Sequence, residues 1–100
     1  MLILRQQMRS KPERTDEVLA ALSAIVPVAR ATPGVVSLDI ARDLVDPDSF
    51  VATGIYEDGA ALERQESAPE VHRAMAMFPD ALAAPPDRTI YDASHDPELV

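Results

Sequence analysis

Residues 50–56, Phe-Val-Ala-Thr-Gly-Ile-Tyr, carry no charge and present no polar face. Alternate side chains of a strand point to opposite sides of its sheet, so Phe50, Ala52, Gly54 and Tyr56 share one face and Val51, Thr53 and Ile55 the other. A strand with one face in water alternates apolar with polar residues, and this one does not, so both faces need a cover. That requirement rules out a lone hairpin or a sheet backed on one side only.

The flanking patterns supply one cover. Residues 2–9 alternate Leu2, Leu4, Gln6 and Met8 against Ile3, Arg5, Gln7 and Arg9, the pattern of a strand with one strongly apolar face. A helix follows, with a Ser10/Glu13 capping box or Thr15 or Asp16 as its start. Its stripe is Val18, Leu19, Leu22, Ile25, Val26 and Ala29. Pro27 lies inside that helix and deletes the bond to the Ser23 carbonyl, and Thr32-Pro33-Gly34 ends it. Residues 35–42 form a second strand with Val36, Leu38 and Ile40 on one face, joined to the third by the turn at 46–49. A short helix over 60–65 and a longer one with Val71, Ala74, Met75 and Phe78 on its stripe follow, and residues 88–93 make a fourth strand. Ser67 and Glu70, with Pro69 between them, spell a capping box for the longer helix.

Strand, helix, strand, strand, helix, strand is the split βαβ order of a ferredoxin-like α+β domain with a four-stranded antiparallel sheet. It is expected over 1–94, with 95–100 as a tail in which His95 is exposed. Helices cover one sheet face, and a second copy of the chain is the expected cover for the other, giving a homodimer with two sheets face to face.

Composition narrows the function. A formal charge of −8 with nine scattered basic residues argues against a nucleic-acid or anionic-membrane surface. Only Leu-Ile-Leu separates Met1 from Arg5, too short for a signal-peptide core, and no apolar run nears the roughly 20 residues that span a bilayer. A cytoplasmic location is expected. The chain has no cysteine and its two histidines are far apart, so neither a thiolate nor a zinc centre is expected; composition alone leaves His72 open as a haem ligand.

The stretch from Ala29 to Met75 resembles the antibiotic biosynthesis monooxygenase family of dimeric α+β barrel proteins. The marks are Pro27 and Arg30 ahead of Pro33-Gly34, Asp46-Pro47 before Phe50, Asp58 before Ala60-Ala61-Leu62, and a fourth strand after a proline pair. The resemblance implies a cofactor-independent monooxygenase acting on a small aromatic, quinol or polyketide-like substrate. The family's more active-looking pattern has a Glu two residues before a Trp at the end of the third strand, and histidines at both ends of the 63–70 segment. Here those positions read Gly54, Tyr56, Gln65 and Glu70. With Gln65 in place of the aromatic and Met75 in place of the histidine of haem-degrading relatives, haem degradation is not expected, and no cofactor is.

Oxygenation without a cofactor asks for an apolar cavity, a base that deprotonates a phenol or enol, and donors that hold the anion while it passes an electron to dioxygen. His72 is the candidate base, though it also fits a half-exposed histidine at a helix edge. Tyr56 and Gln65 are the candidate donors. Gln6, Met75, Phe78 and Tyr91 are expected to line the pocket. Arg5 lies on the opposite strand face from Gln6 and suits an ion pair or the dimer interface. Arg30, in the last turn of the first helix, suits a structural role against the helix dipole and a carboxylate. Two readings stand beside the oxygenase: a non-catalytic binding or accessory dimer of the same fold, and an isomerase or cyclase.

Overall fold

The computed structural model describes residues 1–94. The expectations for His95 and the 95–100 tail lie outside them. The elements run β1 (Leu2–Arg9), a 3-10 turn (Pro12–Arg14), α1 (Thr15–Arg30), β2 (Val35–Arg42), β3 (Ser49–Tyr56), α2 (Gly59–Glu66), α3 (Pro69–Ala81) and β4 (Asp87–Asp92). The four strands form one antiparallel sheet in the order β2-β3-β1-β4. This is the ferredoxin-like α+β arrangement that the order of patterns predicts.

Helices pack on one face. Val18, Leu22, Ile25 and Ala29 of α1 and Val71, Ala74, Phe78 and Ala81 of α3 are buried against Met8, Leu38, Phe50 and Ala52 of the sheet. A smaller cluster of Leu4, Tyr56, Ala61 and Leu62 lies under α2. In β3 the Phe50 parity is buried at every position, while Val51 and Ile55 on the other face are partly open.

Local chemistry sets the joints. Pro33 and Gly34 are the two central residues of a turn closed by the Val35 N–H donating to the Thr32 carbonyl at 3.2 Å. Gly34 has φ +86°, the backbone a type II turn requires at its third residue. Arg64 donates from Nε and Nη2 to the Pro33 carbonyl, tying α2 to that turn. Asp46 binds the Ser49 hydroxyl and the Asp48 N–H and so shapes the β2–β3 turn. Arg30 reaches the Leu38 carbonyl and the Asp39 carboxylate, in keeping with a structural role.

Three local expectations change. The Ser67/Glu70 capping box does not form: Ser67 is the C-cap of α2 and donates its hydroxyl to the Glu63 carbonyl at 2.7 Å. Extended Ala68 then starts α3 with Pro69 at its first position, and Glu70 pairs with Arg73. Ser67 is already helical backbone, so it cannot supply the extended N-cap geometry. Nor does Ser10 cap α1; it is buried and hydrogen-bonds Thr15 and the Asp48 carbonyl. Finally, a bulge between Val35 and Ser37 brings Val35 to the helix side with Leu38 and leaves Val36 54% exposed, because one extra residue reverses the alternation.

Candidate functional site

Between the helices and the sheet lies a cavity of about 270 Å³. Its wall is mostly apolar, with Leu4, Met8, Leu22, Ile25, Leu38, Ile40, Val71, Ala74, Met75 and Phe78 from four elements, β1, α1, β2 and α3. Its polar lining is Gln6, Gln65, Glu66 and Arg88. A second apolar cleft, about 560 Å³, adjoins it along Met75, Phe78 and Pro86.

Gln65 reaches the cavity because α2 turns one face inward. Asp58 starts that helix by accepting the Ala61 N–H at 2.9 Å, and Ala61, Leu62 and Gln65 then fall on the buried side. The Gln65 Oε1 accepts the Tyr56 hydroxyl proton at 2.8 Å, in a fully buried pair. Tyr56 is 0% exposed, and burial pushes its phenol above the ordinary tyrosine value, only partly offset by the bond to Gln65. The phenol therefore stays protonated and serves as a donor rather than a base.

The Tyr56 ring reaches this place by leaning back over Gly54. A Cβ built on Gly54 would stand 2.6 Å and 2.7 Å from ring carbons of Tyr56. The two departures from the family pattern in β3 are thus one packing solution: the tyrosine fills the volume that a side chain at position 54 would need.

The cavity gathers Gln65, Gln6, Met75 and Phe78, with Tyr56 directly behind Gln65. His72 and Tyr91 are not brought to it. His72 is exposed and roughly 140° around α3 from the centre of the buried stripe, at 100° per residue. Tyr91 pairs with Ile3 and shares its outward parity, on the sheet face away from the helices, and is 52% exposed. The two charged cavity residues, Glu66 and Arg88, escape sequence reading. Arg88 of β4 lies opposite Gln6, and its guanidinium donates to both carboxylate oxygens of Glu66, from Nη1 at 2.9 Å and from Nη2 at 2.6 Å. The clue was available in the shared parity of Arg88 and Ile90, but the register that aims them inward was not.

Among the described residues, no cluster of three or more His, Cys, Asp or Glu could hold a metal ion. No helix among them is long and apolar enough to cross a membrane.

A four-stranded antiparallel sheet, helices on one face and a small cavity between the layers define a ferredoxin-like α+β protein. The chain belongs to the antibiotic biosynthesis monooxygenase family, whose model matches residues 1–77. It is 26% identical over 90 residues to the uncharacterized protein sll1783 of Synechocystis, covering 90% of this chain and 61% of that protein. It is 25% identical over 87 residues to YcnE of Bacillus subtilis, whose name proposes a monooxygenase, covering 87% of this chain and 92% of that protein. A crystal structure of an antibiotic biosynthesis monooxygenase superposes with TM-score 0.85 at 26% identity, over 95% of this chain and all of that one.

Proposed function

We propose that the cavity binds a compact, mostly apolar aromatic or quinol-type molecule and that the chain oxygenates it without a cofactor. The observation that carries this reading is the apolar cavity with the Tyr56–Gln65 pair at its polar end. At about 270 Å³ it lies just below the roughly 300–1,000 Å³ of usual ligand pockets, and so suits a molecule of at most two or three fused rings. The family match and the name of YcnE support a monooxygenase-like activity in general terms.

In this reading the substrate enters already ionised, as a phenolate or enolate that has left its proton in water. The Gln65 amide, its oxygen engaged by Tyr56, turns N–H donors toward the anion while it passes an electron to dioxygen. One oxygen atom ends in the substrate and the other in water, with the substrate as reductant. His72, exposed and outside the cavity, takes no part.

The active form is a homodimer in which the outward sheet face is covered by a second copy. Ile3, Val51, Ile55 and Tyr91 lie on that face, and every residue of β4 is exposed in the single chain.

Oxygen uptake and product mass with anthrone- and quinol-type compounds test the reading. Turnover is expected in the wild type, with a loss of about 10²-fold in Gln65→Ala, the scale of one anion-holding donor, and none in His72→Ala. Tight binding of these compounds without oxygen uptake would instead establish a non-catalytic binder, the reading favoured by the absence of any histidine among the described cavity residues.

A further inference from the structure

Among the described residues lining the cavity, Arg88 is the one cation and Glu66 the one anion. They face each other as a two-pronged fork, Nη1 to Oε2 at 2.9 Å and Nη2 to Oε1 at 2.6 Å. That is the geometry in which a guanidinium best recognises a carboxylate or another pair of anionic oxygens. The pair is only partly covered, with side chains 34% and 26% exposed, so it stands at the cavity rim and is open to exchange.

The polar groups around it are mostly donors. Gln6 sits across the β1–β4 register from Arg88. Gln65, next to Glu66 in α2, spends its oxygen on Tyr56. Without Glu66, this end of the cavity would hold one guanidinium and two amides with nothing negative among them. A chain of formal charge −8 repels anions in general, so an anionic ligand is accepted only where a local cation answers it.

We propose that Arg88 selects ligands carrying an ionised phenol, enol or carboxylate on an aromatic frame, and that the Glu66 carboxylate is the internal occupant such a ligand displaces. This rests on the cavity being the ligand site and adds the chemical class it admits. The rings lie against Leu4, Leu38, Val71 and Phe78, and the acidic oxygen meets Arg88, with the amides of Gln6 and Gln65 within the same polar end. Glu66, at the last turn of α2, swings toward water, and the ligand's acidic oxygen takes over its charge-assisted contact with Arg88. A neutral ring of the same shape leaves the Glu66–Arg88 pair closed and gains nothing from it.

The test uses the full chain, 2-hydroxy-1,4-naphthoquinone, whose hydroxyl is ionised at neutral pH, and its neutral methyl ether, with affinities from calorimetry. The wild type is expected to prefer the acid by about tenfold, on the scale of one charge-assisted contact. Arg88→Gln is expected to erase the preference, the acid losing about tenfold relative to the ether. Glu66→Gln, by freeing Arg88, is expected to raise the acid's affinity and not the ether's. Equal wild-type affinity for the two, or a preference that survives Arg88→Gln, overturns the proposal while leaving the cavity as a ligand site. If Glu66→Gln weakens both probes alike, the pair is a structural latch and the proposal falls. Failure of both probes to bind at all overturns the cavity reading itself. Should Arg88→Gln not fold, the Glu66→Gln comparison decides alone.

Discussion

Tyr56 and Gly54 are a single design, and each can be tested through the other. The ring is fully buried, so it cannot yield to a new methyl group at position 54. Gly54→Ala is therefore expected to destabilise the fold by about 1–3 kcal/mol, the usual cost of overpacking, which for a chain this short lowers the melting temperature by several degrees. A melting temperature unchanged by the substitution would mean that the ring is not held where the structure places it. Tyr56→Phe removes the hydroxyl and leaves the Gln65 oxygen without its donor, at about 1–2 kcal/mol near neutral pH. The alkaline limb separates this from simple packing. Because burial raises the phenol's pKa in the fold, the unfolded chain releases that proton first as pH rises past about 10. Stability from this group is thus complete below pH 10 and is lost as pH climbs through the folded value. Denaturant midpoints from pH 7 to 11 should fall less steeply at the alkaline end for Tyr56→Phe than for the wild type.

Among the elements, the two short helices at 59–81 show how capping decides where a segment begins. Asp58 holds the Ala61 N–H with its carboxylate, whereas Ser67 closes the helix behind it and caps nothing ahead. Asp58→Ala is expected to cost about 1 kcal/mol, and Ser67→Ala less than about 0.5 kcal/mol, in chemical denaturation. Equal losses would restore the capping box that the Ser-x-x-Glu spacing suggests. Much of this level is legible without coordinates: β1 and β2 have the bounds their alternation indicates, and Pro33-Gly34 turns where only glycine accepts a positive φ. The Ser67 reading fails because two helices compete for one residue, and the pattern of side chains does not say which backbone wins. The bulge at Val35/Ser37 escapes for a similar reason: an inserted residue leaves no mark in composition, yet it reverses the face of Val36.

For the whole molecule, assembly turns on the outer sheet face. Ile3 and Ile55 are direct cross-strand neighbours there, with Tyr91 beside them on β4. A dimer closed through this face predicts that Ile55→Glu gives a folded monomer by light scattering at micromolar concentration while the wild type runs as a dimer. A wild-type monomer would remove the proposed cover.

The chain's own order of residues determined the succession of strands and helices, their stripes and most of their turns, because periodicity and turn chemistry act over a few neighbouring residues. It also marked β3 as a strand needing cover on both sides. Only the tertiary structure decided which side chains meet in the cavity. Glu66 and Arg88 lie 22 positions apart and are joined by the register of β4 on β1, while His72 and Tyr91 turn away by one helical step and one strand residue. Register and rotation are set by packing across the whole domain, and a shift of one residue sends a side chain to the opposite face.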